Sequence, residues 1–225
     1  MSEKKLLLTE DGSHTIYVPE LNETYHSTHG AIQESAYVFI RQGLQFFLEK
    51  EQKKLVNVFE VGFGTGLNAL LSALFATENE YFIQYKSIEA YPLEKSKIEQ
   101  LNYINIIKGP HTKEIFDKIH TCSWGMWEAI SPNFQLFKVN QKLQDYESSE
   151  YYDVCLYDAF APSKQPEMWE LNLMQKVYDG LKRNGVFVTY CAKGQLKRDL
   201  RTIGFQAETL TGPPGKKEMV RGIKI

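Results

Sequence analysis

Apolar residues along this chain follow two rhythms: short runs of strand length, and longer stretches where they recur every three or four residues. Near the start, Leu6-Leu7-Leu8-Thr9 and Thr15-Ile16-Tyr17-Val18 flank Glu10-Asp11-Gly12-Ser13. The Asp-Gly pair predicts a hairpin with a tight primed turn, and Pro19 ends it. A polar loop with Tyr25, His26, Ser27, Thr28, His29 and Gly30 leads into Ile32 to Glu49, where Ala36, Phe39, Ile40, Leu44, Phe47 and Leu48 predict an amphipathic helix outside the main sheet. Strand signals then fall at Leu55 to Val61, Tyr85 to Glu89, Phe134 to Val139, Val154 to Tyr157, Val186 to Tyr190, Phe205 to Leu210 and Met219 to Ile225. Helix signals lie between them, after Gly66, near Leu93 to Leu101 and from Trp169 to Leu181.

Alternation of this kind predicts an α/β fold, with a mainly parallel seven-stranded sheet and helices on both faces. Thr211-Gly212-Pro213-Pro214-Gly215 is too short for a helical crossover, so the last two strands should pair antiparallel. The expected organisation is a hairpin and helix extension over residues 1–50 and a Rossmann-like unit over 51–225. At 225 residues and 43% hydrophobic content, one well-buried core is expected rather than two.

The chemistry concentrates after the first sheet strand. Val56-Asn57-Val58-Phe59-Glu60 is followed by Gly62, Gly64 and Gly66, then by the helix that opens at Leu67-Asn68. Glycines are needed where backbone must turn sharply and approach a ligand with no Cβ in the way. No Gly-Lys-Ser/Thr follows, as a phosphate-binding Walker loop requires, and Leu67 stands where a dinucleotide loop has its third glycine. Glu60 would repel a pyrophosphate but suits the methionine ammonium of S-adenosylmethionine (SAM), and Glu89 is placed to accept both ribose hydroxyls. The cofactor set expected is Glu60, Gly62, Phe63, Gly64, Gly66, Asn68, Glu89, Ala90, Asn140 and Asp158. Asp158 ends another buried run, and the stiff Ala159-Phe160-Ala161-Pro162 that follows it is expected to hold the acceptor over the cofactor's methyl group.

Charge and cysteine usage refine this. The formal charge of -2 excludes a uniformly basic coat for nucleic acid but not a local patch. Cys122, Cys155 and Cys191 are scattered, which predicts a reduced, cytoplasmic setting with Cys155 and Cys191 structural. Leu6-Leu7-Leu8 is too short for a signal or a membrane span, and the five histidines share no metal-ligand spacing, so neither membrane nor metal is expected. No protein partner is inferable.

Taken in order, Tyr25-His26-Ser27, Gln33 to Phe39, Gly62 to Asn68, Ile88-Glu89-Ala90-Tyr91-Pro92-Leu93, Asp158 to Trp169 and Gly215 to Met219 resemble one family: the bacterial tRNA 5-methylaminomethyl-2-thiouridine methyltransferases, stand-alone or fused to an oxidase. The resemblance implies a class I fold and transfer of a methyl from SAM to the primary amine of 5-aminomethyl-2-thiouridine at the tRNA wobble position. With the last residue at Ile225, no FAD and no oxidase activity are expected, and other enzymes must make the amine. Asp158 is expected to orient the amine, Phe160 to pack on the uracil and Tyr25 to close the pocket. Two departures stand out: Val139-Asn140 where the family has Gly-Asp, and Pro110 to Pro132, whose Trp124, Met126 and Trp127 find no counterpart and are expected in core or lid packing.

Between Lys193 and Ile225 eight basic residues face three acids, a net +5. Phosphate contact is expected from Lys193, Lys197, Arg198, Lys216 and Lys217, with Lys164 near the acceptor loop. Two alternatives stay open: a methyltransferase for another RNA position or a small amine, and a non-catalytic RNA-binding module.

Overall fold

A computed structural model describes residues 3–225. At the amino end β1 (Lys5–Leu8), β2 (His14–Val18) and β3 (Glu23–Thr24) form a small antiparallel sheet. The expected hairpin is present, but Leu8 pairs with His14 across a five-residue loop, not a two-residue turn. Gly12 has the positive φ there; Asp11 does not. Instead the Asp11 carboxylate accepts the Thr9 hydroxyl (2.7 Å), the Ser13 amide (3.0 Å) and the Gln33 amide (3.0 Å). A side chain therefore builds the turn and pins it to the following helix.

Residues 31–51 form one continuous rod: α-helix over Ala31–Ser35, π-helix over Ala36–Gln45 and α-helix over Phe46–Glu51. It lies flat on one face of the main sheet. Gly43 makes the contact, since a Cβ there would come within 2.7 Å of Val188 and 3.3 Å of Leu156. Phe39, Leu44 and Phe47 on the same rod are fully buried, each worth on the order of 1.5–3 kcal/mol.

The main sheet contains β4 (Leu55–Val61), β5 (Phe82–Glu89), β6 (Trp127–Ser131), β7 (Phe134–Asn140), β8 (Tyr152–Tyr157), β9 (Leu181–Thr189), β10 (Phe205–Thr211) and β11 (Glu218–Lys224). Their spatial order is β10-β11-β9-β8-β4-β5-β7-β6. The seven expected strands form the mainly parallel sheet, and the terminal β10–β11 hairpin is antiparallel as its short connection requires. The count is corrected to eight, because β6 adds an antiparallel edge strand from the segment that had no counterpart. Within that segment Trp124 packs on Phe63, whereas Met126 and Trp127 stay exposed, Trp127 edge-on to Phe137. The Leu93 to Leu101 helix shrinks to Lys95–Ile98. Leu101 turns into the core, and Asn102 is drawn to the hairpin, bonding the His14 amide and the Gly12 carbonyl at 2.8 Å each.

Side chains alternate along β4, so Val56 and Val58 join a core under the rod and the Leu67–Asn79 and Thr112–Thr121 helices. Phe59 and Val61 join a second core with the Leu171–Gly180 and Gly194–Thr202 helices. Cys155 lies inside β8, Cys191 just past β9, and both are buried. Among the described residues no helix is long and apolar enough to cross a membrane. From β4 the chain lays down β5 and β7 on one side, then returns to place β8 on the other, so the order reverses between β4 and β8.

Asp153 secures that reversal. Its buried carboxylate accepts the backbone amide of Asn57 (2.9 Å), one residue before the β4–β8 register begins, and the ammonium groups of Lys53 (3.2 Å) and Lys182 (3.1 Å). Asp153→Ala should lower unfolding stability by about 2–3 kcal/mol. Urea denaturation measures it, and a loss below about 0.5 kcal/mol, the usual range of surface changes, would contradict this account.

Candidate active site

A cavity of about 420 Å³ opens at the carboxyl ends of β4, β5 and β8. Open α/β sheets bind ligands at such reversal points, in cavities of roughly 300–1,000 Å³. The loop after β4 lines it through Gly62, Phe63 and Gly64; Gly62, Gly64 and Gly66 lie at φ of +92°, +49° and +71°, but Gly66, expected in the cofactor set, stands off the cavity, where a Cβ would come within 2.8 Å of the His120 ring. At Gly62 a Cβ would stand 2.6 Å from the carbonyl oxygen of Asp158, and the Asp158 amide donates to Val61 O at 2.9 Å. The two loops thus meet backbone to backbone. At Gly64 a Cβ would strike the Tyr25 ring at 2.9 Å. Phe63 lines the cavity from the loop and rests edge-on against His120 and Trp124.

Glu89, at the end of β5, spans the loop and the next turn, accepting the Gly64 amide (3.0 Å) and the Tyr91 amide (2.9 Å). It lines the cavity with Ala90 and Tyr91. Asn140, expected on this wall, stands behind it: its Nδ2 donates to Glu89 O (3.0 Å) and Ala90 O (3.4 Å), and Gln141, Lys142 and Leu143 form the wall instead. The last residue of β7 faces away because its amide is used to tie down the turn after β5.

Glu60 needs the larger correction. Strand alternation turns it with Val56 and Val58 away from the cavity, and it is fully buried. One oxygen accepts the Ser87 hydroxyl at 2.5 Å; Oε1 has no partner, and neither has Oδ1 of the adjacent Asn68. Burial pushes the Glu60 carboxyl up to about 8, against the Ser87 hydrogen bond and with the charge of Asp158 adding to the rise. The Tyr85 hydroxyl and Asn68 also oppose that rise, as hydrogen-bonding groups beside the carboxyl. Asn68 Nδ2 in turn reaches Asp158 Oδ2 at 2.9 Å.

Asp158 opens onto the cavity at the end of β8. Burial and the nearby Glu34 carboxylate raise it to about 8, opposed by Asn68 and Lys216. Its loop is held by side chains from elsewhere: Tyr190 donates to Ala159 O (2.8 Å), Trp169 Nε1 to Phe160 O (2.7 Å) and Tyr157 to Met168 O. Phe160 meets Tyr25 edge-on at 5.1 Å, so these two rings and Asp158 come together at one mouth.

His26 also lines the cavity and escaped the sequence reading. Its Nε2 lies 2.8 Å from the Thr65 hydroxyl, which also accepts from Tyr103 at 3.1 Å, and burial lowers the imidazole to about 4, keeping it neutral. Adjacency to Tyr25 was the available signal, but the Thr65 contact is non-local. Gln144, Asp145, Gln165, Glu167 and Met168 complete the wall.

The basic tail divides. Arg221 is buried against Glu208 (2.8 Å) and the Phe46 ring, and Lys224 donates to Tyr178 O and Leu181 O. Lys197 pairs with Glu218 at 2.8 Å and Lys216 with the buried Glu34 at 2.5 Å. Lys193, Arg198 and Lys217 remain exposed, and Lys164 is half-buried in the acceptor loop. The tail's net charge therefore overstates the cationic surface it presents. Among the described residues no three His, Cys, Asp or Glu side chains are grouped to hold a metal.

The two raised carboxyls fix a pH dependence. Both bind protons more tightly when folded than at their ordinary values of 4.5 and 3.8, so their stabilisation is complete below about 4 and is lost as pH climbs toward 8. Melting temperatures of the ligand-free protein should fall from pH 5 to pH 8.5. Glu60→Gln should flatten that fall and keep cofactor affinity within about threefold. Calorimetric titration checks the second part, and a hundredfold loss would return Glu60 to an ionic role.

Comparison with known proteins agrees with this geometry. Residues 116–225 match the model of a family described as S-adenosyl-L-methionine-dependent methyltransferase. Three relatives carry the name tRNA 5-methylaminomethyl-2-thiouridine biosynthesis bifunctional protein MnmC. The one from Actinobacillus pleuropneumoniae is 30% identical over 96% of this chain, that from Vibrio campbellii 29% over 90%, and that from Nitrosospira multiformis 25% over 92%. The chain spans about a third of their length, 35%, 33% and 35% respectively. The crystal structure of MNMC2 from Aquifex aeolicus superposes with a TM-score of 0.79 over 99% of this chain and 70% of that one, at 23% identity, which shows a common fold. Sequence and fold thus point the same way: the carboxyl-terminal part of the chain is similar to the S-adenosyl-L-methionine-dependent methyltransferase family, and the chain shares the fold of MNMC2.

Proposed function

We propose that this chain methylates the primary amine of 5-aminomethyl-2-thiouridine at the wobble position of tRNA, giving 5-methylaminomethyl-2-thiouridine, in the cytoplasm. The observation that carries the reading is the meeting of Asp158, Phe160 and Tyr25 at the mouth of the cofactor cavity. The relatives named for biosynthesis of this nucleoside support it. The cavity suits SAM on its own terms, since the Glu89 and Asp158 carboxylates on its wall can accept hydroxyl or ammonium hydrogens while Val61, Phe63 and Ile88 line it with apolar surface. Gly62, Phe63 and Gly64 would cradle it, Glu89 and Ala90 would hold the ribose side, and Gln141 to Leu143 the wall beyond.

When bound, SAM supplies an electrophilic methyl carbon on a positively charged sulfur. Displacement there needs the amine's lone pair in line with the carbon–sulfur bond. An ionised Asp158 accepts the amine's N–H hydrogens and so turns the lone pair toward the methyl. Asn68 fixes Oδ2, leaving Oδ1 for the acceptor. Phe160 and Tyr25 exclude water and give the uracil ring an apolar face. In that arrangement the nitrogen–carbon bond would form as the carbon–sulfur bond breaks, the thioether of S-adenosylhomocysteine would leave with the bonding pair, and the amine would lose one proton to solvent. Since Asp158 accepts hydrogen bonds on both oxygens only when ionised, activity of the free enzyme should rise as pH passes through about 8.

The decisive measurement is nucleoside mass spectrometry of undermethylated tRNA incubated with the protein and SAM: 5-aminomethyl-2-thiouridine should disappear as its methylated form accumulates. Transfer to another RNA position or to small amines alone would displace the reading. Asp158→Asn should cut kcat/KM by 10²–10⁴-fold while SAM binding stays near normal. Equal loss of both would count against an acceptor role.

We also propose that tRNA phosphates meet the exposed Lys193, Arg198 and Lys217, with Lys164 beside the acceptor loop. Lys193→Ala with Lys217→Ala should weaken tRNA binding and reduce the slope of log K against log salt by about 1 to 2. An unchanged slope would place the RNA on another face.

A further inference from the structure

Lys216 belongs to the basic tail that suggests phosphate contact, yet its position points elsewhere. Its Nζ lies 2.5 Å from Glu34 Oε1 and 3.8 Å from the centre of the Tyr190 ring. Glu34 is almost fully buried on the amino-terminal rod, and its other oxygen accepts the Ser27 amide at 2.8 Å. Tyr190, whose ring Lys216 covers, donates its hydroxyl to Ala159 O at 2.8 Å. A Cβ at Gly215 would enter the His29 ring, so the turn before Lys216 also packs directly on the Tyr25-to-Gly30 loop.

Through Glu34 and Tyr190 this one ammonium on the β10–β11 turn is therefore linked to two segments far away in sequence: the loop carrying Tyr25 and His26, by the Ser27 amide, and the loop carrying Asp158 and Phe160, by Ala159 O. We infer that Lys216 is a positioning residue for methyl transfer, a clasp that through Glu34 and Tyr190 fixes the Tyr25 and Phe160 loops against each other, and not a phosphate contact. The physical argument is desolvation. A carboxylate as buried as that of Glu34 is costly to leave unpaired, and Lys216 is its ion-pair partner, with Tyr190 adding a cation–π contact. Engaging a phosphate would pull the ammonium away and strand the Glu34 carboxylate inside the protein.

The inference rests on the proposed methylation of tRNA, so its test has a kinetic and a non-kinetic arm. Steady-state kinetics with SAM and undermethylated tRNA should show Lys216→Met lowering kcat at least tenfold, with KM for tRNA and the salt slope of tRNA binding within twofold of wild type. Glu34→Gln should have a similar effect, and the double variant should be no worse than Lys216→Met alone, as for residues acting as a unit. Hydrogen exchange of the ligand-free proteins should show at least tenfold faster exchange at Ser27 and across Asp158 to Ala161 in both single variants. Unaltered kcat with weaker, less salt-dependent tRNA binding in Lys216→Met would overturn the clasp and restore a phosphate contact. Unaltered exchange in both loops would overturn it whatever the enzyme methylates. Absence of tRNA methylation by the wild type, with the exchange changes still present in the variants, would fault the substrate and leave the clasp standing.

Discussion

The architecture of the site depends on one close approach: Gly62, just past β4, against the carbonyl of Asp158, just past β8, with no room for a Cβ between them. The sheet brings those two strands side by side only because the chain returns across it after β7. The Asp158 amide bonded to Val61 O locks the approach, and Asp153 holds the same two strands together at their other end. The glycine loop and the Asp158 loop are thereby set at a fixed spacing by backbone, so their relative placement does not rest on flexible side chains.

On that frame the polar groups are arranged in depth. Asn68 lies between two carboxyls that burial makes hard to ionise, and its amide nitrogen donates to Asp158. Two anions side by side in so dry a place would repel each other. Of the two, only Asp158 opens onto the cavity. The amino-terminal sheet and rod take part as well, since Tyr25, His26 and Glu34 all act on the site from there. A division at residue 50 describes the chain's order better than the site's construction.

Much of this was legible in the residues. Strand runs, helix spacing, the glycine loop and the terminal hairpin follow from periodicity and turn chemistry, which are local, and all recur in the fold. Asp158 and Glu89 also line the cavity, because an acid at the end of a buried strand faces the crevice wherever strand parity allows it. Glu60 shows the limit of that rule: it ends a buried run too, yet parity turns it underneath. Asn140 was misplaced because its amide is claimed by carbonyls of the neighbouring strand's turn. The β6 edge strand escaped notice because its apolar residues alternate too weakly over five positions.

What the sequence by itself determined is the class of fold, the cofactor loop and the family likeness, since each is written in short segments whose chemistry is local. What only the tertiary structure decided is partnership. Lys216, Arg221 and Lys224 read alike as tail cations, but one closes on Glu34, one is buried against Glu208 and one is held by backbone carbonyls. Charge is counted along a chain, whereas its free energy is set by what lies within a few ångströms after folding and how much water is left there.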